Sequence, residues 1–389
     1  MSMKENNNKI YFLLCVLLSI GVLSKLVGLV ITKGAIYNIL FFDKSHFIDF
    51  YQHVERFRFG NNIYLTDQDA CFPAMAYLLY YGIFRLFGIE VENFNNVIQN
   101  TQIYSYIIAM YVGIFFAFFV LVAKNYLVNT QGIKPDVIVV ILCLSYPFSL
   151  AIERGNISIY VMLLLLLSVY FDGSKNKIFK ELSLILIAIS ASIKIYPSIY
   201  GLLYLKQKRY KEAIRLMIYG IISFFIPFIF FGGFDGFKQF IKNITTVGTR
   251  ITNISIAGIV NRIIGGDYSS SIGKIISILY LIIVLCVVLL SKLDWKSMGL
   301  LTSLMVIFIS ESGSYCLIYW TIPLLMFCKY NEGKRLDYLH AVLFALIFGC
   351  IPIKALGSSG IYYIMLYIQL IILLSEKLYE IVMIRKSKV

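Results

Sequence analysis

Charge is scarce in this chain of 389 residues. Only 14% of its residues are Asp, Glu, Lys or Arg, against 59% that are hydrophobic, and the mean hydropathy is +0.81. A composition this poor in charge excludes an ordinary soluble protein and places the chain among polytopic membrane proteins. Acids are scarcer than bases: 21 Asp and Glu stand against 35 Lys and Arg, a formal net charge of +14. In a membrane chain such a surplus belongs to cytoplasmic loops, so no nucleic-acid partner is expected. Paired cysteines are missing too. The seven cysteines, at 15, 71, 143, 286, 316, 328 and 350, form no C-x-x-C and fall mostly in apolar runs. They read as small core residues, which excludes a disulfide framework or a thiolate metal site. No small-x-small cleavage site follows the first apolar run, Tyr11 to Ile31, so that run reads as a retained helix rather than a signal peptide. No repeat and no separate soluble domain is visible, and residues 1–389 read as one integral membrane domain.

Apolar runs are what the chain has in plenty. A span needs about 20 residues to cross a hydrocarbon core of ~30 Å. Five basic clusters assign sides: "KNK" with Lys180, "KQKRYK" with Arg215, "KLDWK", "KYNEGKR" and the tail "RKSK" all read as cytoplasmic. Between the first two clusters lie too few residues for two full spans, so two short helices meeting near "KIYP" are expected there. The same reasoning applies to 136–171, which "ERGN" interrupts.

The expectation is an all-α polytopic membrane protein with about twelve transmembrane helices, several of them short. The spans fall near 10–32, 101–123, 136–152, 157–171, 181–194 and 197–205, then 213–231, 271–291, 297–310, 314–328, 338–352 and 360–383. Both termini lie inside, and Lys and Arg outnumber Asp and Glu on the side so assigned. Residues 34–100 and 232–270 become the first and second outer loops, with Met75 to Gly88 an interfacial helix. The richness in Ile, Lys, Asn, Tyr and Phe points to an AT-rich bacterial genome, and hence to a bacterial cytoplasmic membrane.

Residues that carry chemistry sit at the tips of the short helices and in the first outer loop. Glu153, Arg154 and Lys194 are ionisable groups at membrane depth, a costly placement that favours function. Short helices leave a hollow open to lipid, where Lys194 or Arg154 would pair with a lipid phosphate. The alternative is that Glu153 neutralises Arg154 while Lys194 snorkels. The stretch "SHFIDFYQHVERFRFGNNIY", residues 45–64, holds Asp49 among aromatic rings. A carboxylate so sheltered can serve as a general base; otherwise it caps a helix starting near Phe50. His46 and His53 flank it. Asp67-x-Asp69 has the form of a metal-holding acidic pair, although acid-x-acid is common in loops. In the second outer loop Lys238, Lys242, Arg250 and Arg262 outnumber Asp235 and Asp267, as an anion-holding loop would or as solvated charges on a surface helix.

"YPFSLAIERGNISIYVMLLLLLSVYF" followed by "SLILIAISASIKIYPSIYGLLYLKQKRYKEA" resembles the pattern of glycosyltransferase family 87. The outer-loop "DFYQHVERFRFGNNIYL" and "CFPAMAYLLYYGIF" are similar to its Asp-Phe start, Gly-x-x-x-Tyr step and Pro before an interfacial helix. The resemblance runs over most of residues 40–330. It implies a GT-C-like membrane glycosyltransferase that uses no cofactor or metal. Such an enzyme takes one sugar from a polyprenyl-phosphate donor, with inversion, and passes it to a lipid-linked or glycan acceptor at the outer membrane face. The family's outer-loop aspartate, a general base, matches Asp49. Lys194, Arg154, Arg250 and Arg262 would bind the donor phosphate, while His46, His53, Glu153, Asn156, Tyr196 and Glu311 would support the site or contact the acceptor. One departure stands out: where many members carry a Trp-Asp-His-like motif, this chain has Ser314, Tyr315 and Cys316. Two other readings stay open. A polysaccharide polymerase using undecaprenyl-diphosphate oligosaccharides would rely on Arg250 and Arg262, and a lipid-linked-sugar flippase would make Asp49 incidental.

Overall fold

The computed structural model describes residues 3–31, 33, 47–59, 62–86, 101–128, 130, 134–247, 254–265, 269–309, 313–349 and 360–386. Among them the regular structure is entirely helical. Among the described residues four helices are long and apolar enough to cross a membrane: Glu5–Ile31, Ser105–Leu127, Tyr210–Phe230 and Ser271–Leu290. A fifth candidate is the pair Pro135–Cys143 and Tyr146–Glu153, bent by 46°. The chain divides into two compact units. One comprises Met1–Ser45, Ala123–Glu153 and Ile251–Val389; the other comprises His46–Val122 and Arg154–Arg250.

In the first of these units the helices Met3–Ile31 and Arg335–Gly349 approach through glycine. A Cβ on Gly21 would lie 2.4 Å from the Cα of Gly349, so only the absence of a side chain permits this contact. The charge of Lys25, buried within the first apolar helix, is absorbed at the 46° bend. Its Nζ donates to the carbonyl of Leu144 and to Ser149 Oγ, each at 2.7 Å. A broken helix leaves carbonyls without intrahelical donors, and the ammonium serves one of them. Polar contacts gather the basic loops of this unit at one end. Lys377 bonds Asp294 (2.6 Å) and Glu380 (2.7 Å), Glu376 joins Lys296 (2.5 Å) to His340 (2.8 Å), and Asn6 donates to the Gly333 carbonyl.

The other unit is built on the hairpin of Ser158–Asp172 and Lys177–Ile193, 15 and 17 residues long. Asn176 caps the second helix by accepting from the Ile178 amide at 2.8 Å. That helix stops at Lys194, whose backbone is extended (φ −141°, ψ 129°), and Pro197 opens the short 3-10 turn Tyr196–Gly201. At the far end of the hairpin Arg209 grips Asp172 at 2.8 Å, and Arg215 pairs with Glu181 at 3.0 Å. The sequence-derived break near "KIYP" is therefore present, and the helices expected at 157–171 and 181–194 are found close to those bounds.

Segments of the same unit on either side of the hairpin in sequence pack into an aromatic core that includes Phe57, Tyr64, Tyr77, Phe228, Phe231 and Phe240. Asn243, on the helix Gly233–Val247, is buried and donates through Nδ2 to the carbonyls of Tyr64, Asp67 and Ala70 at 3.1–3.2 Å. Its neighbours Lys238 and Lys242 are exposed, as on a surface helix with solvated charges. Asp67 accepts from Arg56 Nε at 2.7 Å and from the Asp69 amide at 2.8 Å. The acid-x-acid pair thus closes a turn and holds an arginine.

Candidate active site

Two short segments of one unit, the helix Ile48–Glu55 and the turn that precedes Ser158–Asp172, meet at Asp49. The helix begins after Phe47, whose left-handed backbone (φ 60°) reverses the chain. Asp49 therefore falls in the first turn instead of capping it, where the helix dipole favours a carboxylate. Gly155 supplies the matching reversal. Its φ is +62°, and a Cβ there would sit 2.8 Å from the Phe47 ring. Glycine is required at this turn for its dihedral and for the space it leaves. The Asp49 amide then donates to the Arg154 carbonyl at 2.9 Å, tying loop to turn.

The side chains complete a continuous polar chain. Arg154 forks onto the Asp49 carboxylate, with Nη2 at 2.5 Å from Oδ1 and Nε at 3.0 Å from Oδ2. Asn156 Nδ2 donates to Oδ2 at 2.6 Å. The other face of that amide, Oδ1, accepts from Lys194 Nζ (3.2 Å), from Ser158 Oγ (2.6 Å) and from the Ser158 amide (3.0 Å). Lys194 Nζ also donates to Ser158 Oγ at 2.8 Å. Asp49, Asn156 and Lys194 are only 7%, 1% and 5% exposed. Bidentate guanidinium pairing and charge-assisted bonds are the strongest polar contacts available to such groups.

Aromatic rings wall the cluster. The Lys194 ammonium lies 5.0 Å from the centre of the Phe72 ring and 5.7 Å from that of Tyr196, close enough for cation–π attraction. Behind Phe72, at 4.2 Å between centroids, lies His53, which also stacks on Tyr80 at 5.1 Å. The Tyr80 hydroxyl accepts from the Ile157 amide at 3.2 Å and so braces the turn. Burial, reinforced by the nearby positive charges of Arg56 and Lys194, holds the His53 pKa well below 6.5. Its neutral ring accepts from Arg56 Nη1 at 2.5 Å.

Of the residues singled out in the sequence, Asp49, His53, Arg154, Asn156, Lys194 and Tyr196 come together in this unit. Glu153 and Arg262 belong to the other unit, where Arg262 is exposed. His46, Arg250 and Glu311 lie outside the described residues. Sequence reasoning passed over Phe47, Ser158, Phe72 and Tyr80. The one local signal was the spacing Gly155-Asn156-x-Ser158, in which a left-handed turn is followed by two polar side chains about to enter an apolar helix.

From residue 100 to residue 312, more than half of its length, the chain matches the model of glycosyltransferase family 87. The chain belongs to glycosyltransferase family 87. The matched stretch contains Arg154, Asn156, Ser158 and Lys194, whereas Asp49 lies ahead of it. No curated protein and no solved structure matches the chain. Family membership makes the protein a glycosyltransferase, and the four to five membrane-capable apolar helices among the described residues make it a membrane protein. A family 87 glycosyltransferase acts on a sugar donor and an acceptor. The buried cluster at Asp49 brings together one carboxylate and two cations.

Proposed function

We propose that this family 87 enzyme moves a single sugar, with inversion, from a polyprenyl-phosphate donor to a glycolipid or glycan acceptor at the outer face of the cytoplasmic membrane. The observation that carries the reading is the joining of Asp49, Arg154 and Lys194 in one buried cluster through Asn156. Asp49 is the general base that takes the acceptor proton. The acceptor oxygen attacks the sugar C1 as the bond from C1 to the phosphate oxygen breaks, and the electron pair leaves with the polyprenyl phosphate. Arg154 and Lys194 stabilise the charge that develops on the leaving phosphate. No metal is called for, because a phosphate monoester is already a good leaving group.

Helix lengths support the placement. At 1.5 Å per residue the helices Ser158–Asp172 and Lys177–Ile193 rise about 22 and 25 Å, short of a ~30 Å core. If their basic ends mark the cytoplasmic surface, Ser158 and Lys194 stop below the outer one, at the depth of a lipid head group. Twelve spans with both termini inside complete this topology, in which residues 1–389 work as one membrane domain.

The test uses the purified protein in nanodiscs with a panel of short-chain polyprenyl-phosphate sugars and a membrane-lipid extract as acceptor. Wild type should release polyprenyl phosphate with at least one donor, and Asp49→Asn should not. Equal turnover by the mutant would remove Asp49 from the mechanism. Turnover only with diphosphate-linked oligosaccharides would make the protein a polymerase instead.

A further inference from the structure

The fork between Arg154 and Asp49 creates a conflict, since one guanidinium is asked to serve two anions. In the resting enzyme it covers both oxygens of the carboxylate that is to act as base. An acceptor hydroxyl approaching Oδ1 would have to share that oxygen with the guanidinium, which holds the carboxylate in an ion pair. We infer that the incoming donor phosphate draws the Arg154 guanidinium off Asp49, so that donor binding uncovers the base and Asp49 Oδ1 becomes the proton-accepting atom. This rests on the reading above, in which Asp49 is the base and the phosphate lies beside Arg154 and Lys194.

Three features of the cluster fit an exchange. First, the two oxygens are held unequally. Among the described residues Oδ1 is bonded by Arg154 Nη2 alone, whereas Oδ2 is bonded by Arg154 Nε and by Asn156 Nδ2. Withdrawal of the guanidinium opens Oδ1 while Asn156 keeps the carboxylate in register. Second, the anchor is firm on the side that stays. Asn156 is locked by Ser158 and Lys194, and the Asp49 amide is fixed to the Arg154 carbonyl. Only the Arg154 side chain has to move, and it is the more exposed side chain of the pair, 25% against 9% for that of Asp49. Third, the charge of the cluster suits an incoming anion. Asp49, Arg154 and Lys194 sum to one positive charge, while Arg56 has its own partner in Asp67. A phosphodiester brings one negative charge and neutralises the cluster, so a carboxylate stripped of its arginine is not left beside a net anion.

The consequence is a compulsory order, donor first and acceptor second. After the switch the acceptor O–H proton passes to Oδ1 and the acceptor oxygen bonds to C1. The phosphate departs carrying its second negative charge against Arg154 and Lys194. Departure of the lipid phosphate returns Arg154 to Asp49, which closes the cycle once the base has released its proton.

The direct test is a structure of the full chain in nanodiscs with farnesyl phosphate, a short mimic of the leaving lipid. It is paired with the affinity of that lipid for wild type and Arg154→Ala. The expected result is a phosphate bonded by Arg154 and Lys194, with Oδ1 free of the guanidinium and affinity at least tenfold weaker in Arg154→Ala. A phosphate bound at Lys194 while Arg154 still forks both oxygens of Asp49, or unchanged affinity in Arg154→Ala, overturns the exchange and leaves the transferase reading standing. Failure of wild type to bind farnesyl phosphate at this cluster overturns both.

Discussion

Asp49 shows how little a residue's neighbours in sequence say about its chemistry. Its flanking aromatics, Phe50 and Tyr51, suggested a sheltered acid, and the acid is sheltered. Its working partners, Arg154 and Asn156, come from more than a hundred residues away. Asp49→Asn keeps the shape and removes the basicity, so transfer should fall by roughly 10²- to 10⁴-fold, read as polyprenyl-phosphate release. Gly155→Ala should act through the backbone. A positive φ and a ring 2.8 Å away make the turn untenable for alanine, at a cost of about 1–3 kcal/mol, visible as a lower melting temperature in detergent. His53 carries a pH effect of definite sign. Its folded pKa lies below the unfolded value of about 6.5, chiefly because the ring is buried. The unfolded chain therefore binds the proton first. The stability contributed by the neutral ring is full above that pH and is lost as pH falls below it, by at most about 1.4 kcal/mol per pH unit. His53→Gln should flatten the decline of melting temperature between pH 7 and 5, and an unchanged slope would show that other groups control it.

At the scale of elements, the short helices were legible because charge punctuates them. "KNK", "KQKRYK", "ERGN" and "KIYP" mark their ends, and apolar residues fill the interval. The lining of the site was less legible. Nothing in "SHF" announces that Phe47 takes a left-handed backbone, and nothing near Phe72 or Tyr80 says that their rings will stack on His53. Those contacts follow from how residues 47–86 fold back on the hairpin, which local propensity does not encode. Asn243 illustrates the same point, since one buried amide joins the helix Gly233–Val247 to the carbonyls of Tyr64, Asp67 and Ala70. Asn243→Ala should leave those carbonyls without their donor, cost about 1–3 kcal/mol and make the segment around Asp67 more sensitive to limited proteolysis. Protection equal to wild type would mean that the aromatic core alone holds the loops together.

For the whole molecule the testable claim is sidedness. With residues 34–100 outside and the loop around Lys175 inside, a variant keeping Cys71 as its sole cysteine should react with a membrane-impermeant maleimide on intact cells. Cys71 is half-buried, so reaction will be slow but measurable. Moving the sole cysteine to the other face, as Ser174→Cys, should abolish labelling until the membrane is opened. The reverse pattern would invert the topology and place the Asp49 cluster on the cytoplasmic side.

Composition and the positions of basic clusters determined that this is a helical membrane protein, and four loose motifs in the right order were enough to suggest its family. Both are properties of the chain as a string, because lipid enforces apolar helices wherever the chain crosses and charge marks where it stops. Only the tertiary structure decided that Arg154 faces Asp49, that Asn156 bridges that carboxylate to Lys194, and that Lys25 serves a helix bend. Partners for buried charges are chosen by proximity in three dimensions, where an unpaired charge is too costly to leave, and proximity of that kind leaves no trace in local sequence.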